Sequence, residues 1–187
     1  MRITGGVYRG RTVVCPPGVI RPAMDRMRES LFSILGNLDG MSFLDLFSGS
    51  GCVGIEAASR GADPVHVVEK DRGKKTVIQK NLSIVEGSQI KLFMVDVKRF
   101  IPTAKQEYDI VYADPPFNME GKVSLARLVE SNHLVKGNGL FIIHYPVEEK
   151  DNWPEHIGEL TCCDQRKYGR SQLIFYRRIS LATEEKE

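Results

Sequence analysis

A glycine-rich turn set between a strand and a helix constrains this chain more than any other feature. Ser42-Phe43-Leu44-Asp45-Leu46 reads as a strand, Phe47-Ser48-Gly49-Ser50-Gly51-Cys52-Val53-Gly54 follows, and residues 55–60 read as helix. Gly49, Gly51 and Gly54 fit G-x-G-x-x-G in the strand-to-helix context of a nucleotide fingerprint. Glycine there lets the backbone turn sharply and approach a ligand closely. The unit belongs to open α/β sheets, in which ligands bind outside the carboxyl ends of the strands. Glu69 closes the apolar run 65–68, 24 positions after Asp45 (69 − 45), close to the spacing at which an acid reaches ribose hydroxyls. The glycines alone leave NAD, FAD and S-adenosylmethionine open. Asp45 directly before the turn favours the last, because a carboxylate suits an ammonium and a sulfonium and repels a pyrophosphate. Phe47, Ser48, Gly49, Ser50 and Gly51 are therefore expected to line a cofactor site with Asp45, Glu69 and Lys70. Asp96 and Val97, after the strand-like run 90–95, are expected at the adenine, although Asp96 reads equally as a helix N-cap.

A second motif supplies a substrate device. The apolar run 108–113 reads as a buried strand, and Asp114-Pro115-Pro116-Phe117 stands at its end. Prolines hold the backbone extended and leave carbonyls free to accept hydrogen bonds. An Asp carboxylate and a proline carbonyl can take the two hydrogens of a planar amino group, while the Phe ring stacks on the system that carries it. These four residues are expected to hold an exocyclic amine for methylation.

The rest of the chain reads as one α/β domain. Strands are expected at 43–46, 65–68, 90–95, 110–113 and 139–144, and helices at 53–60, 73–85, 98–104 and 122–132. Alternation of this kind implies a parallel sheet covered on both faces. Ahead of it, Asp25 is a plausible N-cap for a helix to Leu35, with Met27, Leu31, Ile34 and Leu35 on one apolar face and Gly36 as C-cap. Residues 2–14 read as a short β-hairpin, and Pro16-Pro17-Gly18 breaks the chain. Residues 159–163 and 171–176 read as an antiparallel hairpin joined by a basic turn at the sheet edge. The expected division is a basic hairpin extension at 1–20, the main domain at 21–179, and a disordered polar tail at 180–187.

Composition narrows the class. A chain of 187 residues is of single-domain size, and 42% hydrophobic with 27% charged residues is ordinary for a soluble protein. No apolar run approaches a membrane span, and no secretory leader is visible, so a cytoplasmic enzyme with reduced thiols is expected. The four histidines fall in no ligand spacing, so no metal is expected. The net charge of +2 conceals a pattern. Residues 1–30 hold six Arg against Asp25 and Glu29, a net +4; residues 166–178 hold five cations and no acid; residues 31–165 carry 14 basic and 19 acidic groups, a net −5. Positive charge at both ends of an acidic body is the footprint of a nucleic-acid binder if the ends meet in space. Arg2, Arg9, Arg11, Arg21, Arg26 and Arg28 at one end, and Lys167, Tyr168 and Arg170 at the other, are the expected RNA contacts.

The chain resembles the RsmD family of bacterial methyltransferases, which act on a guanine N2 of 16S ribosomal RNA. The resemblance rests on Ile3-Thr4-Gly5-Gly6-Val7-Tyr8-Arg9-Gly10-Arg11, on the stretch from Arg21 to Phe32, on the glycine turn, on Asp114-Pro115-Pro116-Phe117, and on Lys167-Tyr168-Gly169. It implies the class I S-adenosylmethionine-dependent methyltransferase fold: α/β, Rossmann-like, with a mostly parallel seven-stranded sheet, a C-terminal antiparallel hairpin and the small N-terminal β-hairpin extension. It implies S-adenosylmethionine as methyl donor, no metal, and 16S rRNA within a partly assembled small subunit as substrate; the expected state is a monomer. Two departures from the family pattern are Ala23, where relatives usually carry Thr, and His144, where many carry an acid. Competing readings are a DNA adenine-N6 methyltransferase, a nicotinamide-dependent dehydrogenase, and a non-catalytic RNA-binding assembly factor.

Overall fold

The computed structural model describes residues 1–15, 22–87 and 89–179. Pro16-Pro17-Gly18, Arg21 and the tail from residue 180 lie outside the described residues, as do the side chains at 22–24 and 150–152. The helix α1 (Pro22–Leu35) is followed by β1 (Phe43–Asp45), α2 (Cys52–Ser59), β2 (Val65–Glu69), α3 (Lys75–Leu82), β3 (Ile90–Met94), α4 (Val97–Phe100), β4 (Tyr108–Ala113), α5 (Lys122–Ser131), β5 (Val135–Pro146), β6 (His156–Ile157), β7 (Leu160–Tyr168) and β8 (Ser171–Arg178). One sheet runs β3-β2-β1-β4-β5-β8-β7-β6. The first five strands in that order are mutually parallel, and β8 enters antiparallel between β5 and β7. The expected seven strands are all present among the described residues, and two-residue β6 adds an eighth at the edge of β7.

The sheet separates two apolar layers. Phe43, Val65, Val67, Tyr112 and Ile142 face one layer with Phe32, Ile55 and Ile78. Leu44, Val68, Val111, Ala113 and Ile143 face the other with Val97, Leu125 and Val129. Adjacent residues on one strand thus serve opposite cores, which is why these strands read as continuous apolar runs. A Cβ on Gly54 would collide with Val67 Cγ1, so this glycine sets how closely α2 packs on the sheet.

Some boundaries differ from expectation for identifiable reasons. The helix α1 starts at Pro22 rather than Asp25, since proline suits a first helical position. Asp25 instead pairs with Arg28 at 3.0 Å within that helix. After α4, capped by Asp96, the chain tightens into a 3-10 turn at Ile101–Thr103, where Pro102 has no N–H for a further helical bond. The expected basic turn in the C-terminal hairpin is mostly strand: β7 continues to Tyr168, and only Gly169 and Arg170 separate it from β8. Among the described residues the N-terminal hairpin closes through an isolated bridge, Arg2 with Thr12, and a backbone hydrogen bond from Gly10 to Ile3 O at 2.8 Å.

That N-terminal segment is fixed to α2 by an acid. Glu56, fully buried in an otherwise apolar helix, accepts hydrogen bonds from the Thr4 amide and hydroxyl (2.8 and 2.6 Å), the Gly5 amide (2.9 Å) and the Arg60 guanidinium (3.0 Å). At Gly6, φ is +75° and a Cβ would collide with the Ser59 carbonyl. Gly6 therefore lets the hairpin approach the helix backbone, and Gly5 leaves room for the Arg60 guanidinium.

Candidate active site

The parallel strands bring their C-terminal ends to one edge, and a cleft of about 680 Å³ opens there. Its wall includes Phe47, Gly49, Glu69, Lys70, Asp96, Val97, Asp114, Pro115, Pro116, Phe117 and His144. Residues of both expected sites thus share one cavity, while Asp45, Ser48, Ser50 and Gly51 are not among those that line it.

The glycine turn is held by β2. Val68 O accepts from the amides of Phe47 (3.2 Å) and Ser48 (2.9 Å). Glu69 accepts from the Gly49 amide through Oε2 (3.1 Å) and from the Asp71 amide through Oε1 (2.9 Å), and Lys74 Nζ lies 3.5 Å from Oε2. Phe47 has φ +113°, sparsely populated for a side chain of this size; such strain costs of order 1–3 kcal/mol and gathers at ligand sites. From behind the turn, the buried Asn81 donates to Ser50 O (2.9 Å) and exchanges two bonds with Val14. Asp96 caps α4 through the Lys98 amide at 2.9 Å while lining the cleft, so the cap and cleft placements coexist.

Asp45 lies beneath this turn, 1% exposed, with neither carboxylate oxygen hydrogen-bonded. Burial raises its pKa well above the usual carboxylate range; the charge of Asp114 adds to the rise, the Gly54 amide opposes it, and Glu69 adds again. A buried carboxylate opposed only by one backbone amide is costly. It is a fit for a cationic group, which is what an aminoacyl sulfonium cofactor would bring. Ser48 Oγ is likewise buried without a partner.

At the substrate side, Asp114 follows the last residue of β4. Ala113 pairs with Ile143 in parallel register, so Asp114 lies level with His144 on the neighbouring strand. His144 Nδ1 is 2.6 Å from Asp114 Oδ1, with His144 2% and the Asp114 side chain 23% exposed. The Phe117 ring meets the His144 ring edge-on, centroids 5.1 Å apart. Lys122 secures the loop that follows: its buried Nζ donates to Phe117 O (2.9 Å), Met119 O (2.7 Å) and Glu149 Oε1 (2.9 Å). The sequence marks His144 only as a departure from the family pattern; its contact with Asp114 depends on strand register, and Lys122 opens a helix where a solvated lysine would look the same.

The basic residues fall into two groups. Ser171 of β8 lines the cleft, so the Gly169–Arg170 turn sits at the same edge, with Lys167 and Arg170 exposed. Arg170 pairs with Glu148 at 2.7 Å. Tyr168 OH bonds Ser30 of α1 at 2.5 Å, and Arg26, exposed, lies one helical turn from Ser30. Arg2, Arg9 and Arg11 are exposed on the N-terminal hairpin, whose tip packs on Ser59 at the far end of α2 from the cleft. Arg28 is buried; its guanidinium donates to Arg2 O at 2.8 Å and pairs with Asp25. Among the described residues, no group of three or more potential ligands is placed to hold a metal, and no helix is long and apolar enough to cross a membrane.

Comparison with known proteins agrees with this geometry. The family model described as "Conserved hypothetical protein 95", which represents the RsmD family, matches residues 1–177. The chain belongs to the RsmD family. Within it, the Ribosomal RNA small subunit methyltransferase D of Escherichia coli K12 is 32% identical over 164 residues, covering 83% of this chain and 82% of that protein. A solved candidate methyltransferase from Escherichia coli superposes with a TM-score of 0.84 at 30% identity, covering 96% of this chain and 98% of its own. A more distant candidate methyltransferase, solved in complex with SAH, shares the fold at a TM-score of 0.71 and 18% identity, over 91% of this chain and 52% of its own. Family and fold are those of methyltransferases, and rRNA methylation is the activity named for the RsmD relatives.

Proposed function

We propose that this protein transfers a methyl group from S-adenosylmethionine to the exocyclic N2 amine of one guanine in 16S rRNA, presented by an assembling small subunit. One observation carries the reading: a single cleft joins Glu69 and Asp96 at one end to Asp114, Pro115 and Phe117 at the other. In this reading the protein works as a cytoplasmic monomer, with residues 21–179 as the catalytic domain and 1–20 as its extension. S-adenosylmethionine would supply an electrophilic methyl group. Glu69 and Lys70 would take the ribose end, Asp96 and Val97 the adenine, and Asp45 with the turn from Phe47 to Gly51 the aminoacyl end.

The amine is a weak nucleophile because its lone pair is delocalised into the ring. Asp114 and the Pro115 carbonyl would accept its two hydrogens and aim the lone pair along the bond to be broken. Pro116 and Phe117 would hold the base plane. The acceleration then comes mainly from proximity and orientation, and the Asp114 charge stabilises the cationic amine as it forms. The base has to be unstacked first, at a few kcal/mol, less where an RNA loop already presents it splayed. Arg26, Lys167, Tyr168 and Arg170 would hold the RNA at the cleft edge. Arg2, Arg9 and Arg11 would reach only a substrate large enough to wrap past α2.

The test is to map methylated nucleotides in rRNA from a strain lacking this protein, then assay the purified protein on its small subunits and on duplex DNA. We expect one guanine to lose its N2 methyl group and to regain it in vitro. Asp114→Ala should abolish turnover by orders of magnitude while leaving cofactor affinity nearly intact. Methylation of DNA but not RNA, or near-normal turnover by that variant, would refute the assignment.

A further inference from the structure

We propose that His144 is the positioning residue of the transfer, its Nδ1–H holding the Asp114 carboxylate so that the second oxygen faces the incoming amine. The inference rests on the reading above and deepens it. An ionised carboxylate only accepts hydrogen bonds, so at 2.6 Å the hydrogen between the two residues belongs to His144 Nδ1. The neutral imidazole and the imidazolium both carry that hydrogen, so the link persists in either state. It occupies Oδ1 of Asp114 and fixes the carboxylate plane, which leaves Oδ2 for the amine. The His144 ring also touches Phe117 edge-on, so one side chain spaces the carboxylate from the stacking platform. A flat base gripped by its amine and stacked on a ring needs that spacing to be constant.

The position of His144 is imposed by the fold. It lies in β5 between β4 and β8, paired with Leu173, and is 2% exposed. Its Nε2 is buried without a partner. Asp114, directly after β4, is the charged group that His144 touches, and Asp45 of β1 and Tyr112 of β4 lie close enough to Asp114 to feel its charge. In the transfer, the amine lone pair forms the N–CH₃ bond as the S–CH₃ bond breaks and its electrons pass to sulfur. The extra proton on the amine then moves to Asp114 Oδ2 and leaves to water through the exposed side of that carboxylate.

The experiment compares wild type, His144→Phe and His144→Asn, with small subunits from a strain lacking the protein and isotopically labelled S-adenosylmethionine. Single-turnover rates are taken, and S-adenosylhomocysteine affinity is measured by calorimetry. Asn places an N–H donor where Nδ1 stands. We expect His144→Phe to lose about 10- to 100-fold in rate with cofactor affinity within twofold, a loss of the size that misplaced reactive groups produce. Asn should recover most of that loss. If Phe does not fold, His144→Leu replaces it. A folded Phe or Leu variant at wild-type rate, or an Asn variant no better than either, would overturn the role. A wild type that methylates no guanine would instead overturn the proposed function, and this role with it.

Discussion

Replacing Asp45 with Asn should make the ligand-free protein more stable and the cofactor complex weaker. Both Asp45 oxygens are buried and lack hydrogen bonds, and the charges of Asp114 and Glu69 oppose its ionisation. Burying a polar group unpaired costs about 1–3 kcal/mol by mutational measures, and more for a charge. Asn removes the charge but keeps a polar group, so about 1–2 kcal/mol should be recovered. In a chain of this length that raises Tm by roughly 2–8 °C. The pH dependence has a definite sign. The folded-state pKa of Asp45 lies above its unfolded value, so the native state holds this proton more tightly. Its contribution to stability is most favourable below the unfolded pKa of about 3.9. It is lost as pH rises from there through the raised native pKa. Asp45→Asn removes that decline. Loss of hydrogen bonds between a carboxylate and a cationic ligand should lower affinity by about 1.5–3 kcal/mol. The assay is thermal unfolding across pH, with and without S-adenosylhomocysteine. A ligand-free variant that melts below wild type near neutral pH, or one whose ligand-induced shift matches wild type, would refute the reasoning.

Two further outcomes follow. Lys122→Met leaves two loop carbonyls without their donor, at about 1–3 kcal/mol each, partly offset because a buried charge is also removed; thermal melting should fall, hydrogen exchange across 115–121 should quicken, and unchanged exchange would mean that the lysine does not hold the loop. Lys167→Ala with Arg170→Ala should weaken RNA binding and flatten its salt slope by about two units, whereas Arg9→Ala with Arg11→Ala should change both less, because the hairpin tip lies away from the cleft; equal effects from the two pairs would show that the substrate wraps the whole of α2.

Sequence made the sheet and both ligand motifs legible because each is a local pattern. An apolar run, a glycine turn and a helix lie within about twenty residues, and their order fixes which strand end carries Asp45, Glu69 and Asp114. What stayed hidden depends on register or burial. His144 meets Asp114 only because Ala113 pairs with Ile143, and no local signal states that pairing. In the Thr4-Gly5-Gly6 motif, Gly6 admits the Ser59 carbonyl of α2, and the partner of Thr4 and Gly5 is Glu56, 52 positions from Thr4. A lone acid inside the apolar helix was the available sign, since a carboxylate there is kept only if several donors converge on it.

The charge pattern has a physical order that the linear sequence conceals. A methyl donor bearing a sulfonium calls for negative charge, and RNA repels it. The structure separates these demands by depth. Asp45 and Glu69 are buried at the floor of the strand edge, and Asp114 is only partly open. Lys70, Lys74 and Lys98 line the cleft around them, and Lys167 and Arg170 stand exposed on the adjoining turn. Buried charges escape most of the salt screening that acts on exposed ones. The floor therefore acts on a small ligand at short range, while the rim attracts a polyanion from solution. Only the C-terminal basic end takes part in that arrangement: β8 returns between β5 and β7 and delivers the basic turn to the edge where Asp114 follows β4, while the N-terminal hairpin packs at the far end of α2.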